Sequence, residues 1–309
     1  MIAMSWPSYL TYKIFSLSCS LFLVATATFV LMHMIPGDPF SQEQTIPEEI
    51  LKSLMSHYGL DEPLHVQYFK YLKGLAHFNL GPSFKYEGRM IQDVIQEGFG
   101  VSAVLGGFAF IIAIVSGSTL GTVAAFYRGK WQDWFSMLVA VIGMSVPSFI
   151  LSTLLQYLFA MKLNLLPIAR WGECKHMILP AISLASFPTA FIARLVRNNM
   201  IEVLEQEYIV AAKARGLSTL KILFRHVIPN CSLPVLSYLG PLAASIITGS
   251  FVIEKIFGIP GLGGWFVMSI TNRDYTMIMG ITLFYSAILM IAVFIVDLLC
   301  YSIDPRIRS

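Results

Sequence analysis

Between Ile14 and Met34 the chain carries no acidic residue, lysine or arginine. That run is about 20 residues long, what a helix needs to cross the ~30 Å hydrocarbon core of a bilayer. Nothing else constrains the fold as much, and the pattern recurs. Val101 to Phe126, Trp131 to Ala160, Met177 to Val196, Leu233 to Ile253 and Met277 to Ile303 read as five further spans, which makes six. Composition supports the reading: 56% of the 309 residues are hydrophobic and 13% are charged, against about 25% charged in soluble domains. The expected class is therefore an all-α polytopic membrane protein. Ala25-Thr26-Ala27 imitates a signal-peptidase site, but the apolar run continues past it, so the first segment is read as a retained span.

Residues 35–100 are a different material, with nine acidic and five basic side chains. Pro36-Gly37-Asp38-Pro39 closes the first span abruptly, because prolines cannot continue a helix and Gly37 permits a turn. Pro47 to Tyr58 and Pro63 to Phe78 then read as short amphipathic helices. The segment is too polar to span and is expected to form a small cap outside the membrane. Within the spans, Gly117 and Gly121 form a small-xxx-small packing face. Pro147, Pro188 and Pro241 are candidate kinks along a pathway, or kinks that lipid-embedded helices simply tolerate.

Lysine and arginine placement orients the chain. With the amino terminus inside, the cytoplasmic side collects Lys13, Arg128, Lys130, Arg194, Arg197, Lys213, Arg215, Lys221, Arg225, Arg306 and Arg308. The short external loops hold only Lys162, Arg170, Lys175, Lys255 and Arg273. Both termini are then cytoplasmic.

Glu207 to Pro229 is the longest polar interruption in the back half. Val210-Ala211-Ala212-Lys213-Ala214 favours helix, Gly216 can take the positive φ that ends it, and Ser218 can cap a second helix. That helix would carry Leu220, Leu223, Phe224 and Val227 on one face. A bent helix pair of this kind suits docking onto a soluble partner. A basic surface lying on anionic lipid is equally open from the residues alone.

Covalent chemistry has no footing here. No stretch reads GxxxxGK followed by Ser or Thr; the glycine-rich run Gly258-Ile259-Pro260-Gly261-Leu262-Gly263-Gly264 lacks the lysine and is read as a turn or short re-entrant piece. The four cysteines, Cys19, Cys174, Cys231 and Cys300, are scattered and support neither a disulfide framework nor a zinc site. Asp297 lies inside the last span, where a carboxylate is a functional candidate, but its place near the cytoplasmic end, close to Arg306 and Arg308, favours a structural pair or a snorkelled interface group. His33 is read as interfacial. The aromatic residues suit membrane interfaces, and no nucleic-acid partner is implied.

Several of these stretches together resemble one family. Ala211-Ala212, Gly216 four residues on and Pro229 thirteen later are similar to the "EAA" loop of ABC importer membrane subunits, with Val210 where the family name has Glu. Tyr208 to Leu217 resembles the peptide-importer branch. So do the turn at Pro36 to Pro39, Tyr58 to Pro63, the run from Glu254 to Asp274, and Asp304-Pro305-Arg306. The resemblance covers nearly the whole chain. It implies the type I importer permease fold as a single domain over residues 1–309, with core helices over 101–303 and the loop over 199–230 coupling to an ATPase. It implies that Tyr208, Val210, Ala211, Ala212, Lys213, Ala214, Arg215, Gly216, Leu217 and Pro229 form that coupling element. Phe257, Pro260, Gly261, Leu262, Gly263, Asn272, Arg273, Asp274 and Tyr275, with Pro36 to Pro39, would lie at an external mouth facing a solute-binding protein. The implied partners are a second homologous permease subunit, two ATPase subunits that bind the ATP, the solute-binding protein and a peptide in an inner membrane. No cofactor is expected on this chain. Nickel chelates or glutathione are alternative cargoes. A self-powered secondary transporter or channel would need inverted repeats and buried ion ligands, and neither is legible.

Overall fold

The computed structural model describes residues 6–35 and 48–303; Pro36 to Pro39, Asp304-Pro305-Arg306 and Arg308 lie outside them. Among the described residues the regular structure is helical. The elements are α1 (Trp6–Met34), α2 (Glu48–Tyr58), α3 (Leu64–Ala76), α4 (Ile91–Phe126), α5 (Trp131–Ser145), α6 (Ser148–Leu155), α7 (Cys174–Leu204), α8 (Glu207–Ala214), α9 (Thr219–Ile222), α10 (Ile228–Ile247), α11 (Phe251–Phe257), α12 (Leu262–Thr271) and α13 (Tyr275–Ile303). π-Helical turns extend α6 through Gln156–Lys162 and join α9 to α10 through Leu223–Val227.

Five helical stretches are long and apolar enough to cross a membrane: Pro7–Met34, Ile91–Phe126, Cys174–Leu204, Thr219–Ile247 and Tyr275–Ser302. Two further pairs are bent, α5 with α6 and its π extension by 106°, and α11 with α12 by 105°. Helical rise decides between them. At 1.5 Å per residue the first pair reaches about 27 Å end to end, close to the core thickness, while the second reaches only about 16 Å. Counted as one broken span, the α5–α6 pair brings the number to six, while the α11–α12 pair is too short to cross and forms an elbow.

Several boundaries differ from those expected. α4 begins at Ile91, so the last ten residues of the 35–100 segment belong to this helix. Ile91, Val94 and Ile95 pack there with Leu262, Met277 and Ile281 in a second core, which outweighs the charges on Asp93 and Glu97. The expected span Leu233 to Ile253 instead begins in the helical run from Thr219 and stops at Ile247. Gly249, with φ +90°, breaks it before α11. The third span is broken at Pro147, as expected: its axis turns there, and Pro147 has an extended backbone ahead of α6.

α4 against α7 is the most extensive packing in the molecule. A Cβ on Gly117 would stand 2.8 Å from Ile192 and from the Thr189 carbonyl, and one on Gly121 only 2.5 Å from the Ala193 carbonyl. These two glycines let the helix backbones touch, as small residues do in membrane bundles. Pro188 is buried inside a continuous α7, and Pro241 is exposed inside a continuous α10. α2 and α3 lie in the chain between α1 and α4. α3 sits on α1 through Tyr68 and Tyr71, whose rings stand beside Phe29, and burial pushes the Tyr71 phenol up to about 12.

Candidate functional site

The bent segment after α7 is built by one glycine. α8 carries Glu207 in its first turn and Lys213 in its last, the charge order that complements the helix dipole. It ends where Gly216, at φ +77°, donates its N–H to the Lys213 carbonyl at 2.9 Å. The Leu217 N–H donates to the Ala212 carbonyl at 3.3 Å. These paired bonds form a Schellman ending, which requires a left-handed residue where Gly216 stands. Ser218 takes the cap position of α9, but its hydroxyl makes no capping bond, contrary to expectation.

One side of this bend is sunk in the main core through Ile209, Ala212, Ile222 and Val227, with Leu217 and Leu223 partly buried beside them. The other side is free. Tyr208 and Val210 are exposed, and Leu220 and Phe224 are 67% and 66% exposed. Leu220 and Phe224 therefore do not share one face with Val227, as the sequence led one to expect. The π-helical turn shifts the register between Leu223 and Val227, so Ile222 and Val227 turn inward. Pro229 follows this turn immediately. It has no N–H to give and its ring crowds the carbonyl four residues back, a conflict that a wider turn relieves. Ala211, Lys213, Ala214, Arg215, Lys221 and Arg225 are exposed as well. The exposed residues of the bend are thus apolar and basic in mixture.

Two ion pairs that sequence reading missed hold this end of the bundle. Arg197 of α7 makes a bidentate pair with Asp133 of α5, at 2.7 and 2.8 Å. Asp133 also accepts the Gly129 N–H at 2.9 Å. Arg128 pairs with Glu205, the residue that ends α7. The turn between α4 and α5 is therefore fastened to the connection between α7 and α8. A lone Asp in an otherwise apolar helix start was the available signal. Asp297 does have a partner, but it is Lys13 of α1, at 2.5 Å.

At the other candidate site the expected residues are mostly internal. Phe257, Gly261, Leu262, Gly263, Asp274 and Tyr275 are buried, Asn272 and Arg273 are half-buried and Pro260 is exposed. Asp274 acts as a tie and presents no docking surface. It accepts hydrogen bonds from the Ser83 hydroxyl, from the Phe84 N–H at 3.3 Å and from the Met277 N–H at 3.2 Å. It thus closes the start of α13 and pins the segment after α3 to it. Arg273 supplies the left-handed residue between α12 and α13, at φ +54°, and Asn272 donates to the Tyr86 hydroxyl at 3.2 Å. Any surface contact at this end falls to Pro260 and its exposed neighbours Lys255 and Met268.

The chain matches the family model described as the binding-protein-dependent transport system inner membrane component over residues 117–309. It matches the N-terminal model of the same kind of membrane component over residues 7–99. It is 48% identical over 300 residues to the dipeptide transport system permease protein DppB of Bacillus subtilis, covering 97% of each chain. It is 43% identical over 291 residues to the oligopeptide transport system permease protein OppB of Salmonella typhimurium, covering 94% of this chain and 95% of the other. Among solved structures, an inward-facing methionine ABC transporter, MetNI, superimposes with a TM-score of 0.54 at 15% identity, covering 69% of this chain and 97% of that one. An amino acid ABC transporter does so with a TM-score of 0.54 at 16% identity, covering 68% and 94%. These structural likenesses concern the fold alone.

Proposed function

Because the chain belongs to the family of binding-protein-dependent transport system inner membrane components, we propose that it is the membrane-spanning permease subunit of an ATP-binding-cassette importer that carries di- or oligopeptides. The observation that carries this is the near full-length similarity to dipeptide and oligopeptide permeases, joined to the Gly216 bend with its exposed apolar side chains. In this reading the whole chain works as one transmembrane domain beside a second, homologous permease subunit. An external solute-binding protein delivers the peptide, and two partner subunits bind and hydrolyse ATP. This chain does no chemistry of its own and holds no cofactor.

The mechanism follows from where the bend sits. The distribution of lysine and arginine puts Glu207 to Pro229 and both termini in the cytoplasm, beside the ATPases. Tyr208, Val210, Leu220 and Phe224 are exposed apolar side chains of the bend that a partner cleft would bury. Burial of this kind drives association, and the exposed basic side chains set its register. On the other side, Ile209, Ala212, Ile222 and Val227 are fixed in the core, so a force on the exposed side chains is delivered to α7 and α10. ATP-driven closure of the two ATPases would draw the paired bends together and shift the bundle between inward- and outward-open states. The differential contact that moves this equilibrium lies on the partner chains.

Reconstitution tests the proposal. Purified with its partner permease, two ATPases and binding protein in liposomes, the chain should support ATP-dependent accumulation of a labelled peptide. The isolated chain should hydrolyse no ATP. Accumulation without ATP or without the binding protein would overturn the reading.

A further inference from the structure

The glycine-rich run that lacks a phosphate-binding lysine is an anion cradle all the same, and the anion is the chain's own. Glu254 of α11 is 1% exposed, and no lysine, arginine or histidine pairs with it among the described residues. Its Oε1 accepts the Ser102 hydroxyl of α4 at 2.7 Å, and the Ser102 oxygen accepts the Leu262 N–H at 2.9 Å. Its Oε2 is buried with no hydrogen-bond partner, and the carboxyl group faces the backbone of Gly263 and Gly264. The carboxylate of one helix thus closes the N-terminus of the next, α12, where the backbone N–H groups and the helix dipole favour an anion.

The glycines are the shape of this arrangement. A Cβ on Gly261 would lie 2.4–2.5 Å from the Glu254 carboxyl atoms, one on Gly249 2.2 Å from its Oε1, and one on Gly263 2.9 Å from its Oε2. α4 meets the elbow with a matching face. A Cβ on Gly98 would touch the Leu262 backbone at 2.9 Å, and one on Gly106 would stand 2.4 Å from the carbonyl of Ile246, at the end of α10. Gly98, Ser102 and Gly106 follow at four-residue steps, on one side of α4. α10, the elbow and α4 therefore meet at one carboxylate.

We propose that Glu254 is a latch: its carboxylate makes the α11–α12 elbow and α4 one moving unit, and so makes Glu254 a positioning residue through which arrival of the loaded binding protein reaches the transport helices. This rests on the importer reading. A loosened elbow would leave the bundle and the ATPases intact but would no longer pass the binding protein's contact on to α4.

Gly261 offers a mild way to open the latch. Its backbone, at φ −93° and ψ 174°, suits alanine, so the cost of Gly261→Ala is eviction of the Glu254 carboxyl. In the assembled transporter in nanodiscs, Gly261→Ala, Glu254→Gln and Glu254→Ala should each keep basal ATPase near that of the parent. Each should lower stimulation by peptide-loaded binding protein roughly tenfold or more, as loss of a charge-assisted bond predicts. The double variant Gly261→Ala/Glu254→Ala should be no worse than Glu254→Ala, because the methyl group fills the vacated space. Unchanged stimulation in Gly261→Ala and Glu254→Gln would overturn the latch, and so would additive losses in the double variant. A parent complex that does not respond to any binding protein would instead overturn the importer reading.

Discussion

Gly216→Val is the sharpest perturbation of the proposed coupling segment, because the structure isolates its cost. No atom lies within 4 Å of where a Cβ on Gly216 would stand, so packing contributes nothing. What remains is the backbone, at φ +77°. A β-branched residue in the left-handed region costs about 1–2 kcal/mol, a factor of about 5–30 in an equilibrium. Re-angling the bend relieves the strain but gives up the Schellman bonds to Lys213 and Ala212, and it swings the exposed Leu220 and Phe224 away from where the bend holds them. In proteoliposomes with its partners, Gly216→Val should therefore insert at parental levels, since the spans do not sense this position. Peptide uptake and stimulated ATPase should fall about 5–30-fold. Gly216→Asn is the control, because asparagine tolerates the left-handed region; it should retain most of the activity. Leu220→Val cannot serve as a silent control, because Leu220 is itself one of the exposed apolar side chains of the bend. The argument fails if Gly216→Val transports as well as the parent, or if Gly216→Asn fails equally.

Other consequences are equally direct. Arg197→Gln leaves Asp133, only 6% exposed, without its cation, and should lower stability in detergent by about 3 kcal/mol or less. The double variant with Asp133→Asn should lose less than the sum of the singles, read by thermal melts. Gly121→Leu would drive a side chain into the Ala193 carbonyl, and membrane yield should collapse while Gly107→Leu, facing open space, is tolerated. With the native cysteines removed, single cysteines at Lys70 and Lys73 should react with an impermeant maleimide on intact cells and one at Lys221 should not. Labelling at 221 from outside would invert the proposed topology.

What was legible in the sequence divides along physical lines. Span existence was readable, because apolar length is a one-dimensional property and lipid enforces it. Gly216 was readable for a similar reason: a helix ending needs one residue type at one place. The face of the following helix was not readable. A single π-helical turn before Pro229 rotates Leu220 and Phe224 outward, and a regular 3.6-residue period cannot anticipate it. The glycine-rich run was read as a turn or short re-entrant piece, but the start of the elbow was misplaced, because the apolar run from Leu233 appears to continue to Ile253, whereas Gly249 breaks it in space. That placed Glu254 just past a span end and concealed a buried carboxylate. Asp133, Asp274 and Glu254 each have a partner 64 residues or more away along the chain. Such pairings are written in tertiary structure and not in local pattern.

The Lys13–Asp297 pair is the last case, and it tests whether an intramembrane carboxylate here is structural or functional. α1 packs chiefly on α13, with Tyr12, Ile14, Phe15 and Leu23 all more than half exposed. The Lys13–Asp297 bond and the stacked rings of Tyr9 and Tyr301 tie it to α13, while Thr26 and His33 bond to Tyr68 and Gln67 of α3. Lys13 and Asp297 are each about one-third exposed, at 30% and 34% for the side chains, so their worth is well short of that of a fully buried pair. If the pair is only an anchor, Asp297→Asn should weaken the attachment of α1 and lower the melting temperature. Lys13→Leu/Asp297→Leu should recover parental stability, since apolar side chains of similar volume replace such pairs at little cost. Transport should follow stability in every variant. The opposite pattern, a double-Leu protein that is fully stable yet moves no peptide, would make Asp297 part of the transport path and overturn the structural assignment. The bond geometry favours the anchor, because the carboxylate is already committed to a lysine on the first helix of the chain.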